Sequence, residues 1–170
     1  MKKILAVILC ALMLLCFVGC SENAPDGMKA ASSENEAFYL YIPTTWTVNS
    51  SGGTASGYLV TDYSNVSMTC MLMDEGLTTL DEYVTYTKAA LAEVLKDYED
   101  VGEVTKTKLG SRDAVSFEYS AWSGTVNYKW RQVVTLRSDM FYILTYTSTV
   151  ENFDSHLEEV DKIIENVKFK

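Results

Sequence analysis

The sequence has few of the residues and motifs that enzymes use. Its 170 residues include one histidine, His156, which excludes metal sites built from several histidines and leaves one candidate base for a Ser-His-Asp triad. The sequence contains no G-x-S-x-G nucleophile elbow and no glycine-rich phosphate loop. We therefore predict a non-enzymatic protein without a metal or cofactor, with His156 in solvent. A hydrolase that acts through Ser116 or His156 is the enzymatic alternative.

The N-terminus, in contrast, has a specific pattern. Lys2 and Lys3 precede the uncharged apolar stretch Ile4–Val18, which is the order found in a secretory signal peptide. The stretch is shorter than the roughly 20 apolar residues of a membrane-spanning helix. It leads into F-V-G-C, Phe17–Cys20, which resembles the bacterial lipobox. An ordinary signal peptide cut elsewhere and an uncleaved anchor are the alternatives.

The lipobox resemblance implies that residues 1–19 are a lipoprotein signal peptide and that Cys20 becomes the acylated first residue. A diacylglyceryl group and a further fatty acid such as palmitate give the multi-chain anchoring that one chain cannot supply. The predicted location is the bacterial cell membrane, lipid-anchored on its extracytoplasmic face. Cys10 and Cys16 would leave with the signal peptide, so Cys70 remains as a single thiol without a disulfide partner. Because methionines surround it, we predict a buried, unreactive thiol.

The charge of the chain excludes one class of partner. The formal net charge is −9, and loss of Lys2 and Lys3 takes it to −11. A chain this acidic does not bind nucleic acid or anionic lipid headgroups through its overall charge. The predicted partners are therefore the membrane, through the N-terminal lipid, and an envelope protein, but no nucleic acid.

Two regions follow the signal peptide. Ser21–Glu36 is polar, contains Pro25 and Gly27 and lacks apolar periodicity, so residues 20–36 are predicted to be the lipidated cysteine and a flexible tether. A flexible stretch of these sixteen residues has a root-mean-square length of roughly 20–24 Å. Residues 37–170 are predicted to form one domain.

The domain sequence combines strand and helix patterns. Leu80–Tyr98 has apolar residues at helical spacing, with Thr79 and Glu82 placed as a capping box, and a second apolar stripe runs from Phe153 to Val167. Runs of β-branched and aromatic residues predict the strands. These are Phe38–Ile42, Trp46–Val48, Gly57–Thr61, Val66–Met73, Val104–Leu109, Asp113–Ala121, Val126–Arg137 and Met140–Thr147. The predicted fold class is α+β: a twisted antiparallel sheet flanked by two amphipathic helices, in an α/β/α sandwich.

Two turns set the predicted register of the last strands. Ser123-Gly124 and Ser138-Asp139 are candidate two-residue hairpin loops. Paired residue numbers then add to 247 across the first loop and to 277 across the second. One face of this meander is a nearly continuous aromatic and aliphatic surface, and the other face is mixed.

The mixed face supplies the candidate binding site. Polar side chains from three strands converge there, and Arg131 stacked on Tyr146 is suited to a carboxylate or a planar ligand. The alternative is a solvent-facing stripe with a Glu118–Lys129 pair worth roughly 0.2–1 kcal/mol. The indole of Trp122 at the predicted hairpin tip either contacts a partner or has a structural role. The candidate residues are Ser116, Glu118, Lys129, Arg131, Tyr146 and Trp122.

The order of these elements resembles the PsbP family. The matching features are Pro43 and Trp46 in a P-x-x-W turn, Gly110 before the meander, Tyr142-Ile143-Leu144 in the last strand and Phe153 in the final helix. The resemblance implies the family's fold, which is shared with a nuclear Ran-binding protein, and a non-catalytic binding or assembly role. Plant members assist a manganese-calcium cluster, but this sequence has no residues onto which that metal site can be placed.

Together these observations predict a membrane-anchored extracytoplasmic lipoprotein. It would act as a non-catalytic binding or accessory module for an envelope protein or complex. The alternative is a solute- or glycan-binding lipoprotein that serves a transporter, which the eleven tyrosines and the cluster around Arg131 favour.

Overall fold

The computed structural model describes residues 23–34, 36–49, 54–74 and 76–170. The predictions for residues 1–19 and for Cys20 lie outside these ranges. Within them, no helix combines the length and the apolar character needed to cross a membrane.

A seven-stranded antiparallel sheet forms the centre of the fold. The strands are β1 (Met28–Ala30), β2 (Phe38–Tyr39), β3 (Tyr41–Pro43), β4 (Thr47–Asn49), β5 (Ala55–Tyr58), β6 (Asn65–Leu72), β7 (Lys96–Leu109), β8 (Arg112–Ser123), β9 (Val126–Arg137), β10 (Met140–Thr149) and β11 (Lys168–Phe169). The helices are α1 (Leu80–Val94) and α2 (Leu157–Glu165), the latter preceded by a 3₁₀ turn (Phe153–His156). The order in the sheet is β4-β5-β6-β10-β9-β8-β7, and the pairs β1–β3 and β2–β11 lie outside it. The predicted α+β class with a large antiparallel sheet is confirmed.

Helix α1 begins where the sequence predicts and ends earlier. The Thr79 hydroxyl accepts from the Glu82 backbone N–H at 3.2 Å, and the Glu82 carboxylate accepts from the Thr79 N–H at 2.9 Å, which confirms the capping box. The helix stops at Val94 because Leu95 is extended and the following residues pair with β8. The prediction that it continues to Tyr98 is therefore wrong.

Strand β7 starts eight residues before the predicted position, at Lys96 instead of Val104. Its pairing with β8 is interrupted by two register shifts, one between Lys96 and Glu99 and one between Val101 and Thr105. Irregular pairing and frequent charged residues are typical of edge strands that do not pair with another chain.

The two hairpins differ in how well they were predicted. Residues of β9 and β10 pair with numbers that add to 277, as in Met140 opposite Arg137, which confirms that register. Residues of β8 and β9 add to 249, as in Ser123 opposite Val126, so the predicted 247 is wrong. The loop is Gly124-Thr125 because Gly124, with φ of 62°, takes the first loop position, where glycine adopts a positive φ without steric cost. The shift of two residues keeps every side chain on its predicted face.

The ordered domain starts before residue 37. Strand β1 pairs with β3, the Gly27 carbonyl accepts from the Thr44 N–H at 2.9 Å, and Ala31 is buried. Met28–Ala31 therefore belongs to the domain, where the sequence predicted a tether, because pairing with β3 outweighs the weak local pattern of this segment.

Among the described residues, the core consists of two clusters, one on each face of the sheet. Val160, Ile163 and Ile164 of α2 pack with Phe153 and the N-terminal segment on one face. Tyr83 and Val84 of α1 pack with aromatic and aliphatic residues of β8–β10 on the other. Cys70 is exposed rather than buried, since it lies near the end of β6 beyond the packed part of that strand.

Candidate functional site

The predicted binding residues lie on the sheet face that α2 covers. Tyr146 and Ser116 are buried there. The Tyr146 hydroxyl donates to the Phe153 carbonyl at 2.9 Å, and its ring packs against the Phe153 ring with centroids 4.7 Å apart. Tyr146 is thus a core residue, and the predicted Arg131–Tyr146 platform for a ligand is not formed.

Arg131 is held by two partners within the domain. Its Nε donates to the Ser116 Oγ at 3.2 Å, and its Nη1 donates to the Asp161 Oδ1 at 2.7 Å. On the observed register Arg131 lies opposite Glu118 and Tyr146. The Arg131 side chain is 19% exposed, so part of the guanidinium is accessible to solvent. Its Nε and Nη1 atoms are already hydrogen-bonded within the domain.

Lys129 and Glu118 form the predicted ion pair, but on a diagonal. The Lys129 Nζ lies 2.8 Å from the Glu118 Oε2, while the residue directly opposite Lys129 in β8 is Ser120. The same ammonium lies 4.1 Å from the centroid of the Phe153 ring, where the negative ring face attracts a cation. Both charged side chains are partly exposed, so the pair is accessible to a partner.

Trp122 extends this face to the end of β8. It is opposite Asn127 and Lys96, and 41% of the residue is exposed. It does not share a ring contact with the other five predicted residues, so the structure brings together Ser116 with Arg131 and Glu118 with Lys129 and leaves Trp122 at the border.

A groove of about 720 Å³ runs between β7, β8 and α2, with Arg131 in its wall. Charged groups of both signs line it, and Lys108 and Asp113 form a pair with 3.1 Å between Nζ and Oδ1. A ligand carboxylate would compete with Asp161 for Arg131. The lining residues are Lys106, Thr107, Lys108, Gly110, Asp113, Arg131, Asp161, Ile164 and Glu165.

Asp161 was not among the predicted site residues. The available signal is its place directly after Val160, a member of the apolar stripe. A polar residue that flanks the buried stripe of a helix lies close to the sheet below. Which charged strand residue it meets depends on where α2 crosses the sheet, and this is not encoded in the local pattern.

His156 is part of a bonded cluster instead of standing in solvent. Its Nε2 lies 2.7 Å from the Asp62 Oδ2, its Nδ1 lies 3.7 Å from Glu159, and the Trp46 indole donates to the same Glu159 at 3.2 Å. Burial would raise the pKa of Asp62, but hydrogen bonds from the Ser64 N–H and from His156 outweigh it and hold that pKa below its usual value. The cluster joins the β5–β6 loop to the 3₁₀ turn and α2.

The residues named for the hydrolase alternative are each bonded to other groups. Ser116 Oγ accepts from Arg131, and His156 is bonded to Asp62. Ser64, which follows Asp62 closely, is buried and shares a hydrogen bond of 2.7 Å with Ser148 instead of with the imidazole. This arrangement does not resemble a nucleophile–base pair, which needs direct hydrogen bonding.

No three His, Cys, Asp or Glu side chains in the described ranges lie together in a way that would hold a metal ion.

Comparison with solved structures identifies the fold. The chain is similar to cyanobacterial PsbP (CyanoP) of Synechocystis sp. PCC 6803, with a TM-score of 0.59 and 11% identity over 91% of this chain and 99% of that one. It is also similar to LpqN of Mycobacterium tuberculosis, which is involved in cell envelope biogenesis, with a TM-score of 0.58 and 12% identity over 84% and 90%.

A third similar structure is PA94 of Pseudomonas aeruginosa, a protein of unknown function, with a TM-score of 0.56 and 16% identity over 82% of this chain and 94% of that one. No protein-family model and no curated protein sequence matches the chain. The structural likeness confirms that this chain has a PsbP-like fold.

Proposed function

We propose that the chain is an extracytoplasmic lipoprotein, anchored through Cys20, whose PsbP-like domain serves an envelope protein or complex as a non-catalytic binding or accessory module. The observation that carries the proposal is the N-terminal order of two lysines, an uncharged apolar stretch and Gly19-Cys20, placed shortly before a domain of this fold. An acylated Cys20 would be fixed in the membrane by more than one hydrocarbon chain.

A lipid on Cys20 would be joined to the folded domain by only a short tether. Gly27 is hydrogen-bonded to Thr44, and seven residue steps separate it from Cys20. A fully extended chain spans at most about 23–25 Å over seven steps. The domain is therefore expected to work next to the membrane surface, where envelope proteins are the available partners.

The α2 side of the sheet supports a role in protein contact. It combines the exposed indole of Trp122 with the partly exposed pairs Glu118–Lys129 and Arg131–Asp161. Trp, Tyr and Arg are enriched among the hot-spot residues of protein interfaces, and charged groups at the rim help to orient the two partners. The involvement of LpqN in cell envelope biogenesis is consistent with a related role for a chain of the same fold.

Acyl labelling in the native host tests the anchor. With radiolabelled palmitate, the wild-type chain should label and fractionate with membranes, while Cys20→Ala should lose the label and be released or left unprocessed. Cys70→Ala is the matched control, because it removes a thiol within the folded domain and should label normally. Labelling that persists in Cys20→Ala would refute the assignment.

Cross-linking in intact membranes tests the accessory role. The wild-type chain should yield a discrete cross-linked partner that Trp122→Ala together with Lys129→Glu weakens, with acyl labelling unchanged. The role is contradicted if the chain cross-links to nothing and its deletion leaves every envelope complex intact.

A further inference from the structure

The sheet face opposite α2 is only partly covered. Helix α1 packs mainly over β7, β8 and β9. Beyond it, one row of directly paired residues crosses four neighbouring strands. The row consists of Tyr58 in β5, Asn65 in β6, Thr147 in β10 and Trp130 in β9. All four are partly exposed. We call this row, together with the adjacent row of Ser56, Ser67 and Thr145, the open face.

A second row runs beside the first. Ser56, Ser67 and Thr145 are paired across β5, β6 and β10, and each is partly exposed. At the β5 end, a cavity of about 360 Å³ lies among hydroxyl and amide side chains and Tyr63, of which 74% is exposed. This volume is near the lower limit for small-molecule pockets and suits one small unit of a larger ligand.

The open face carries no charge among its described strand positions. The chain as a whole has 37 Lys, Arg, Asp and Glu residues, yet the residues of β4, β5, β6, β9 and β10 that point to this side are all neutral. The charged residues of β9, which are Lys129, Arg131 and Arg137, alternate onto the α2 side. A charged ligand would thus find no counter-ion among these described strand positions and would lose hydration there without compensation.

The groups that are present match a neutral polyhydroxyl ligand. Ser, Thr and Tyr hydroxyls and the Asn amide both donate and accept hydrogen bonds, as sugar hydroxyls do. Trp130 adds a rigid aromatic surface, since its ring stacks on Tyr119 at 5.2 Å and contacts Tyr128 at 5.8 Å. Aromatic rings supply apolar contact area for the C–H faces of a pyranose.

From these observations we infer that the open face binds a neutral oligosaccharide. Three strand spacings separate Tyr58 from Trp130, which is about 14 Å and corresponds to a short oligosaccharide lying across the strands. One sugar unit would occupy the cavity beside Tyr63, and another would pack on Trp130. The site is separate from the α2 side, and it does not depend on lipidation of Cys20 or on a protein partner.

Calorimetric titration of the full chain tests the inference, with the protein extracted in a detergent that has no sugar headgroup. The probes are maltotriose, cellotriose and N,N′,N″-triacetylchitotriose, with trigalacturonic acid as the anionic comparison. At least one neutral trisaccharide should bind with Kd below about 1 mM, and the anionic one should bind more weakly. Trp130→Ala should weaken that binding at least about tenfold, while Trp122→Ala, which alters an indole on the opposite side, should leave it unchanged.

A second pair of variants tests the site independently, in case Trp130→Ala does not fold. Ser67→Lys places a cation on the open face and should abolish binding, whereas Cys70→Lys places it on the other side of the same strand and should not. The inference is overturned if no neutral probe binds, if Ser67→Lys binds normally, or if binding is lost in Trp122→Ala but kept in Trp130→Ala. A protein captured through the open face in place of sugar binding would also overturn it. An acylated chain that binds no sugar refutes only this inference, and a sugar-binding chain without acyl label refutes only the anchor.

Discussion

The Arg131 guanidinium and the Asp161 carboxylate lie 2.7 Å apart, between Nη1 and Oδ1, and join strand β9 to helix α2. This bond occupies the arginine that the sequence suggested for a ligand. The bond lies where α2 crosses the mixed side of the sheet, so the candidate binding surface is partly an internal contact between two elements.

The Arg131–Asp161 pair should contribute modestly to stability. Asp161→Ala is expected to lower the free energy of unfolding by about 0.5–1 kcal/mol, since the pair is partly exposed and screened by solvent. Urea unfolding measures the change. Asp113→Ala is the control, because 96% of the side chain of Asp113 is exposed in its pair with Lys108, and it should cause little change. Equal losses in both variants would contradict the structural role of Arg131.

Gly110 should not tolerate a side chain. It has φ of 56°, its N–H donates to the Ile164 carbonyl at 2.8 Å, and a Cβ would lie 2.0 Å from the Val167 oxygen. Gly110→Ala is expected to destabilise the domain by more than about 3 kcal/mol, since backbone strain and a clash with backbone act together. Gly124→Ala shares the positive φ without any close atom and should cost only about 1 kcal/mol. Thermal unfolding that ranks the two variants equally would refute the close approach.

Gln132 should be needed as the hydrogen-bond partner of the hydroxyl groups of two buried tyrosines. The Tyr83 hydroxyl donates to the Gln132 Oε1 at 3.4 Å, and the Gln132 Nε2 donates to the Tyr119 oxygen at 3.3 Å. Gln132→Leu is expected to cost about 1–3 kcal/mol, because it leaves polar groups unpaired. Adding Tyr83→Phe and Tyr119→Phe should recover part of that loss in urea unfolding.

The same site offers an optical check. Burial raises the pKa of Tyr119 to about 12, so its phenolate absorbance should appear well above the pH of ordinary tyrosines near 10. Tyr119→Phe should reduce that late absorbance without removing it, because burial also raises the pKa values of Tyr83, Tyr98 and Tyr146. Normal titration of every tyrosine would contradict the buried network.

Asp62 should contribute stability that is lost in acid. Its pKa is lower in the folded chain than in the unfolded chain, so its contribution is present above about pH 3.9 and disappears as the pH falls through the folded value. Asp62→Asn should therefore be less stable than wild type at pH 7, with a difference that shrinks below pH 4. Urea midpoints at both pH values measure this, with Asp113→Asn as an exposed control. A difference independent of pH would contradict the bond between Asp62 and His156.

Local patterns predicted the elements well where the structure is decided locally. The limits of β9, Val126 and Arg137, agree with the sequence prediction, and the Ser138-Asp139 loop sets the register of β9 and β10 as expected. The stripe from Phe153 to Val167 is buried along its length except for the partly buried Leu157. Period and turn chemistry are properties of a few neighbouring residues, so sequence is sufficient for them.

Other boundaries depended on distant partners. Lys96 and the residues after it continue a helical pattern in sequence but pair with Trp122 and its neighbours in β8. Met28–Ala30 has no recognisable strand pattern and becomes ordered by pairing with β3. Sheet pairing can override a weak local preference because it satisfies backbone hydrogen bonds and buries side chains together.

By itself the sequence determined most of the order of strands and helices, the two apolar stripes and the side of the sheet on which the residues of β8, β9 and β10 lie, because these follow from periods of about 3.6 and 2 residues. Only the tertiary structure decided which side is closed. Packing of α2 and Phe153 buries Tyr146 and engages Arg131, while the neutral row from Tyr58 to Trp130 remains partly exposed. That choice depends on where each helix crosses the sheet, and long-range burial sets this position rather than any local pattern.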